Sequence, residues 1–320
     1  MIAQTFGRLS SIVGAHKVFV VCGPHLKDQI AQALPQLQTS NLIVEPQARN
    51  TAPAIALSAA FAHARYPDEV VGVFPSDHFI GRQASFAKCV EVAAATAHKH
   101  DIVTLGIPPT RPETGYGYIR CTHAPSLSPE PQPVRAFVEK PDAARALEYV
   151  EDGDYLWNAG MFFFRPLTMF RLMDAYMPKS APHARAMVQL IDTPQQAGQL
   201  PKAFEQLESI SIDYGIMEQA QDVQVVPAHF PWSDVGHWAA LHEVQPSDDD
   251  GNIVQANAIL HDTSDSVVHS TTDRLIAVSG MSDVVVVDTE DALLVIPRSQ
   301  AQQVRVLIDR IKEDGQDEVL

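Results

Sequence analysis

The chain has 320 residues, of which 46% are hydrophobic and 19% charged, a composition typical of an ordinary globular protein and unlike a disordered or fibrous one. The 39 acidic side chains outnumber the 23 basic ones, and the formal net charge is −16. Because nucleic-acid backbones and anionic membranes repel so acidic a protein, we expect neither as a partner. A phosphorylated small substrate is compatible with this charge where a local cation or metal offsets it.

The length predicts roughly two domains of about 100–200 residues each. The three cysteines, Cys22, Cys89 and Cys121, are far apart and follow no metal-binding spacing, which is typical of reduced thiols. No apolar run reaches the roughly 18 residues of a membrane span, and the first residues follow no signal-peptide pattern. We therefore expect a cytoplasmic protein.

Short strands alternate with helices over the first 110 residues. Runs rich in β-branched residues predict buried strands at residues 17–21, 42–44, 70–74 and 102–105. Ala-rich stretches predict helices at residues 53–64 and 86–98. This alternation predicts an α/β, Rossmann-like fold with a mixed, mainly parallel sheet that is covered by helices. Ligands of such sheets bind at the carboxyl ends of the strands.

The pattern becomes less regular after Pro112. We predict strands at residues 134–138, 161–164 and 223–226, a helix at 142–150, and further helices up to about residue 206. Four prolines between residues 125 and 133 predict an exposed loop. The segment 157–161 is interpreted as a polar turn that leads into a strand.

An aspartate-rich segment at residues 246–251 predicts a linker. Beyond it, turn residues separate five short predicted strands, at residues 254–260, 267–270, 275–279, 284–287 and 292–296, and an amphipathic helix follows at 298–312. We therefore place a domain boundary at residue 246. Residues 1–246 form the α/β domain, and residues 247–320 form a small β-module with a terminal helix.

Two aspartates are candidates for binding a divalent cation. Asp77 follows the predicted strand 70–74, and a carboxylate at that end of a strand suits Mg²⁺, which commonly takes one or two protein carboxylates together with substrate phosphates. Asp234 lies between Trp232 and Trp238. The structural alternatives are that Asp77 caps a turn and that Asp234 is a solvated residue of a loop held by the two tryptophans.

Two adjacent opposite charges end the predicted strand 134–138. Glu139 and Lys140 point to opposite faces of a regular strand, but Pro141 bends the chain, so that both charged groups could reach one pocket. Lys140 would hold a phosphate there as a point charge. The alternative is a surface ion pair worth about 0–1 kcal/mol.

Three further segments offer polar or close backbone contacts to a ligand. Asn50, Thr51 and Ala52 precede a predicted helix, whose free N–H groups suit a base edge or an anion, or else form a plain N-cap. Gly117 allows close approach of the backbone to a ligand. Asn158 could bond a sugar hydroxyl or simply stabilise a turn.

The order of seven short motifs is more specific than any one of them. NTAPAI, PSDH, ETGYGYI, FVEKPD, NAGMFFF, SIDYGIME and WSDVGHW follow one another along the chain. In this order they resemble the mannose-1-phosphate guanylyltransferases, or GDP-mannose pyrophosphorylases, of the sugar-nucleotidyltransferase superfamily. The segment VVVVDTEDALLVIPRSQAQQV resembles that family's C-terminal region, which combines a short left-handed β-helix with a terminal helix.

The resemblance implies transfer of GMP from GTP to mannose 1-phosphate, giving GDP-mannose and pyrophosphate, with Mg²⁺ as cofactor. It implies that the catalytic residues are Asp77, Lys140 and Asp234, of which the two aspartates hold Mg²⁺ and Lys140 contacts the sugar phosphate. It also implies a set of substrate-binding residues, namely Glu139 and Asn158 for mannose hydroxyls, Gly117 for the sugar nucleotide, and Asn50, Thr51 and Ala52 for guanine. Asp213, in the SIDYGIME motif, receives no role.

One part of the family pattern precedes the chain as written. The family opens with a strand and a glycine-rich loop of the type GGxGTRLxPL that wraps the nucleotide phosphates, whereas this sequence starts at the helix that follows them. We therefore expect little activity from the 320-residue form and recovery when the upstream segment is restored. We also expect the strands near residues 18–21 and 70–74 to lack a neighbour, at about 1–3 kcal/mol for each buried unpaired backbone group.

Other functions stay open on the sequence alone. The chain could be a non-catalytic nucleotide-sugar-binding or regulatory subunit, or a transferase for another sugar phosphate. The expected ligands are GTP, mannose 1-phosphate and GDP-mannose. An exposed β-module is compatible with a homodimer.

Overall fold

The computed structural model describes residues 1–236 and 238–316. The chain forms two compact units, Met1–Phe230 and Pro231–Leu320. The second unit begins before the predicted boundary at residue 246, because Trp238 and Leu241 pack against buried strand residues of that unit such as Ile253. No helix in the described part of the chain is both long and apolar enough to cross a membrane.

The first unit contains eight α-helices among its described residues: α1 (Ile2–Val13), α2 (Lys27–Ala33), α3 (Thr51–Arg65), α4 (Gln83–Ala97), α5 (Ala143–Asp152), α6 (Pro166–Tyr176), α7 (Ala181–Leu190) and α8 (Gln196–Glu205). Its strands are β1 (Val20–Cys22), β2 (Leu42–Val44), β3 (Val71–Val73), β4 (Phe79–Ile80), β5 (Ile102–Ile107), β6 (Tyr118–Cys121), β7 (Gln132–Val138), β8 (Tyr155–Phe164) and β9 (Val223–Pro227). The predicted α/β class is confirmed.

The main sheet has six strands in the order β3-β8-β5-β9-β7-β6, and β6 also pairs with β8. Within it, β5 and β9 are parallel neighbours, whereas β7 and β8 are antiparallel to the strands beside them. Four of the six strands therefore run in one direction, although most neighbouring pairs are antiparallel. The sheet is mixed, as predicted, and β7 and β8 account for its antiparallel pairs.

Two strands of the first unit each have one open edge. In the described ranges, β1 pairs only with β2, and β3 pairs only with β8. This agrees with the expectation that these two strands lack a neighbour.

The core of the first unit lies between the sheet and a layer of α3, α6 and α7. Helix α3 buries nine residues, most of them alanine or another small apolar residue, so neighbouring helices can approach it closely. The predicted helix 53–64 is confirmed and begins two residues earlier, at Thr51, because the Asn50 side chain caps its N-terminus.

One predicted turn of the first unit is wrong. Residues 157–161 lie inside the ten-residue strand β8 rather than in a polar turn before it. The pairing of β8 with β5 shifts register between Thr104 and Gly106, and Gly160 has a φ of +65°. This irregularity is a bulge, in which a strand accommodates extra residues without ending.

The second unit is a β-module. Its elements are β10 (Trp232–Ser233), α9 (Leu241–Val244), β11 (Ile253–Gln255), β12 (Ala258–His261), β13 (Val267–Ser270), β14 (Ile276–Ser279), β15 (Val284–Asp288), β16 (Leu293–Pro297) and α10 (Val304–Glu313). Strands β11, β13 and β15 stack in parallel, as do β12 and β14, which is the pairing of a β-helix. The predicted strand 254–260 is two strands, β11 and β12, since the chain turns a corner of the coil between them.

Candidate active site

A polar network is centred on Asn158, at the bulge of β8. The Asn158 Oδ1 atom accepts hydrogen bonds from the Gly160 backbone N–H at 3.2 Å and from the Thr104 hydroxyl at 3.2 Å. The Asn158 backbone N–H donates to the Gly117 carbonyl at 2.8 Å. These bonds fix the orientation of the amide, so its oxygen faces the protein and its Nδ2 group is left to donate elsewhere.

The acceptor for the Asn158 Nδ2 group is Asp213 Oδ1, at 3.2 Å. Asp213 begins a single turn of π-helix, Asp213–Met217, a distortion that is often found at functional sites. Burial raises the pKa of Asp213 from its ordinary value of 3.8 to about 6, and the nearby Glu139 carboxylate adds to the rise. A hydrogen bond from the backbone N–H of Asp213 itself, the Lys140 charge and the Asn158 amide oppose it. Asp213 is therefore a largely buried carboxylate that shares its surroundings with three predicted site residues.

Glu139 and Lys140 follow β7 and reach the same place. Lys140 Nζ lies 3.1 Å from Glu139 Oε1, and the Lys140 side chain is 59% exposed while that of Glu139 is 10% exposed. Lys140 also has a φ of +47°, in the left-handed region. The Glu139 carboxylate of this ion pair is therefore mostly buried, whereas the Lys140 ammonium group remains accessible to a ligand.

Gly117 is needed by Glu139. A Cβ atom at Gly117 would lie 2.5 Å from Glu139 Oε2 and 3.4 Å from Asn158 Cβ, and real Cβ atoms essentially never make so close a contact as the first. The predicted close approach at Gly117 therefore includes a carboxylate of the protein itself.

The predicted guanine residues lie at the start of α3. The Asn50 side chain accepts from the Thr51 N–H at 2.9 Å, and the Ala52 N–H donates to the Ile210 carbonyl at 3.1 Å. Thr51 Oγ1 accepts from the Ile212 N–H at 2.8 Å. The N–H groups of Thr51 and Ala52 are thus used within the protein, and Thr51 anchors the segment that leads to Asp213. A role of these three residues in guanine binding stays a prediction.

Thr51→Val is expected to lower the free energy of unfolding of the first unit by about 1–3 kcal/mol, because it removes the acceptor of the buried Ile212 N–H and keeps the shape of the side chain. Urea denaturation measures this, with Thr51→Ser as the control that keeps the hydroxyl. A Thr51→Val protein of parental stability that loses only its affinity for GTP would instead make Thr51 a guanine ligand.

Asp77 lies in the exposed loop that follows β3. A Cβ atom at Gly160 would lie 3.6 Å from Pro75 Cγ and 3.8 Å from His78 Cε1, so this loop is next to the bulge of β8. Helix α1 supports it, because the Thr5 hydroxyl donates to the Ser76 carbonyl at 3.2 Å. The structure therefore brings the Asp77 loop and the Asn158 network together.

Asp234 belongs to the second unit. Its Oδ1 atom accepts from the Gly236 N–H at 3.0 Å, and the next residue, Val235, has a φ of +49°. Across the described ranges, no three His, Cys, Asp or Glu side chains cluster as a metal site. A Mg²⁺ ion that is held mainly by substrate phosphates needs no such cluster, and the exposed Asp77 carboxylate has the oxygen ligands that Mg²⁺ prefers.

Two members of the network are not predicted from the sequence. Asp213 lies in a motif that gives it no role. Thr104 gives a signal, because a hydroxyl residue stands in the otherwise apolar run Ile102–Ile107, all of which is buried. Its hydroxyl also lies 3.0 Å from the Met161 carbonyl.

Comparison with known proteins identifies the family. Residues 1–251 match the nucleotidyl transferase family, and residues 256–311 match the mannose phosphate isomerase/GMP-like β-helix domain. Mannose-1-phosphate guanylyltransferase of Escherichia coli is 37% identical over 322 residues, covering 99% of this chain and 68% of that protein. Xanthan biosynthesis protein XanB of Xanthomonas campestris pv. campestris (strain B100) is 39% identical over 312 residues, covering 97% and 66%.

The chain thus spans about two thirds of the length of these relatives. A solved structure, that of mannose-1-phosphate geranyltransferase from Thermus thermophilus, superposes with a TM-score of 0.83 at 33% identity and covers 97% of this chain and 89% of that one. These findings confirm the resemblance predicted from the seven motifs: the chain belongs to the mannose-1-phosphate guanylyltransferase family of nucleotidyl transferases.

Proposed function

We propose that this protein transfers GMP from GTP to mannose 1-phosphate, forming GDP-mannose and pyrophosphate. The observation that carries the proposal is the 37% identity to the Escherichia coli guanylyltransferase over 99% of the chain, together with the polar network around Asn158, to which the family motifs contribute. In this reaction a phosphate oxygen of the sugar phosphate attacks the α-phosphorus of GTP. The bond from that phosphorus to the bridging oxygen breaks, and pyrophosphate leaves.

Two anions must meet in a protein of net charge −16. A phosphate monoester carries about −1.5 to −2 charge near neutral pH, so the transfer needs local positive charge and close positioning of the reactants. The accessible Lys140 ammonium is suited to hold the sugar phosphate, and Glu139 and Asn158 are suited to bind the hexose hydroxyls beside it.

Asp77 and Asp234 are the residues that would hold Mg²⁺, which when bound neutralises charge on the nucleotide phosphates. The exposure of Asp77 and its place beside the bulge of β8 support its part in this set. The assignment of Asp234 rests on the resemblance of its motif. The homodimer and the cytoplasmic location remain predictions from the sequence.

Pyrophosphate release from GTP and mannose 1-phosphate with Mg²⁺ tests the proposal. It is measured on the 320-residue chain and on a form that carries a glycine-rich phosphate-loop segment ahead of Met1. We expect turnover by the extended form, and a loss of about 100-fold or more with Lys140→Met but not with Lys88→Met, whose side chain is exposed in a surface ion pair.

The same assay separates the competing functions. A non-catalytic binding subunit would bind GDP-mannose in a calorimetric titration and release no pyrophosphate in either form. A transferase for another sugar would prefer glucose 1-phosphate, which differs from mannose 1-phosphate only in configuration at C2. Either result would overturn the proposal.

A further inference from the structure

The Asp213 carboxylate is largely buried but remains partly accessible, and the proposed reaction assigns it no role. It lies beside the Asn158 amide, and the Asn158–Asp213 bond is the one side-chain hydrogen bond that Asp213 makes to another residue among residues 1–236 and 238–316. The second N–H of Asn158 Nδ2 and the second oxygen of Asp213 have no hydrogen-bond partner on another residue in that same part of the chain. The Asp213 carboxylate also accepts from its own backbone N–H, but a carboxylate has about four lone-pair sites, so it can accept a further hydrogen bond beside the second Asn158 N–H.

We infer that Asp213 is a specificity-determining residue of the sugar site: its carboxylate and the Asn158 amide together bind one hydroxyl of the hexosyl 1-phosphate. The hydroxyl donates its proton to Asp213 and accepts a hydrogen bond from Asn158 Nδ2. This inference rests on the proposed function, because it assigns a further contact to the same substrate.

The orientation of the amide supports this arrangement. The Gly160 N–H donates to the Asn158 oxygen and the Thr104 hydroxyl lies 3.2 Å from it, so this oxygen faces the protein and Asn158 presents its Nδ2 donor on the Asp213 side. A hydroxyl that accepts from it must send its own proton to an acceptor, and the Asp213 carboxylate is that acceptor. An aliphatic or halide substituent at this position of the ligand would leave both groups unsatisfied.

The charges around Asp213 support a polar ligand rather than a purely structural role. Glu139 and Lys140 are the charged groups that act on it, and the carboxylate of Glu139 opposes its ionisation. Two carboxylates close together in a buried place destabilise the fold unless each has a partner. Lys140 pairs with Glu139 at 3.1 Å, whereas the hydrogen bonds to the Asp213 carboxylate come from neutral groups, the Asn158 amide and its own backbone N–H. A hydroxyl group of the substrate supplies the Asp213 carboxylate with a further hydrogen-bond donor.

The test combines a substitution with deoxy substrates. Asp213→Asn removes the charge but keeps an oxygen that can accept from Asn158 Nδ2. With mannose 1-phosphate we expect it to lower kcat/KM by about 10- to 100-fold, the range for a hydrogen bond to a charged group. Against the 2-, 3-, 4- and 6-deoxy analogues, we expect the loss to shrink below about threefold for one of the four, since that analogue lacks the hydroxyl that Asp213 binds.

Asp68→Asn, at an exposed turn, is the charge-matched control. It should leave kcat/KM unchanged for mannose 1-phosphate and for each of the four deoxy analogues. An equal loss on every analogue would overturn the inference, because a structural role affects all substrates alike. If the loss is equal on every analogue but the wild-type protein turns over mannose 1-phosphate, the inference fails and the proposed function remains supported. If the wild type binds neither mannose 1-phosphate nor GDP-mannose in calorimetry, both fail together. Where turnover is absent but binding is measurable, the same comparison is made on dissociation constants.

Discussion

Gly117→Ala is expected to lower kcat/KM for mannose 1-phosphate by about 100-fold while leaving the stability of the first unit nearly unchanged. The added Cβ atom would lie 2.5 Å from Glu139 Oε2, so the carboxylate must move. That atom is the end of a flexible side chain, and its displacement costs the fold little. A displacement of about 1 Å in a residue that positions substrate costs on the order of 100-fold in rate.

Pyrophosphate release and thermal unfolding together measure this prediction. Gly198→Ala is the matched control, because Gly198 lies within α8 and a Cβ atom there meets nothing within 4 Å. The control should keep full activity and gain up to about 1 kcal/mol from its better helix propensity. On a Glu139→Ala background, Gly117→Ala should add little further loss. An additive loss would mean that Gly117 acts on the substrate directly and not through Glu139.

Local features of the sequence are sufficient to predict the main elements of the first unit. Helix α3 follows from a run of small apolar residues with a capping asparagine ahead of it. The fully buried strand β5 follows from a run of β-branched residues. Such elements depend mainly on residues that are close in sequence, so a short window predicts them.

Strand β8 cannot be predicted in the same way. Asn158 and Gly160 interrupt its apolar pattern, and in a short window they indicate a turn. The strand continues because Thr104, on a neighbouring strand, holds the Asn158 oxygen, and because Gly160 accepts the positive φ that the bulge needs. Thr104 and Asn158 are 54 residues apart, so the local sequence pattern does not indicate their contact.

In the site, too, the positions set by nearby residues can be predicted from the sequence, whereas contacts between distant residues cannot. The place of Asp77 after a buried strand predicts its position at the edge of the sheet, and the structure places its loop beside the bulge of β8. The meeting of Asn158 with Asp213, 55 residues further on, depends on the turn of π-helix that begins at Asp213 and has no periodic signal. Thr51, predicted as a ligand residue, holds the Ile212 N–H next to that turn.

Asp213→Asn is expected to stabilise the first unit at neutral and alkaline pH, although it weakens the sugar site. Burial raises the pKa of Asp213 in the folded protein to about 6, against an ordinary value of 3.8. The folded state therefore holds this proton more tightly than the unfolded state, and stability falls as the pH rises from about 3.8 through 6. At about 1.4 kcal/mol for each pKa unit, the full loss above this window is on the order of 3 kcal/mol.

The substitution removes this titration, so the two proteins should differ more at pH 8 than at pH 5. About half of the full effect lies between these two values, because Asp213 is still mostly protonated in the folded state at pH 5. Thermal unfolding at both values measures the difference, and other carboxylates cancel because the two proteins share them. A gap between the two unfolding midpoints that is the same at pH 5 and pH 8 would mean that the Asp213 carboxylate is ordinarily solvated. A gap that widens at pH 8, together with loss of sugar discrimination, would show that the site keeps a destabilising charge for the sake of its ligand.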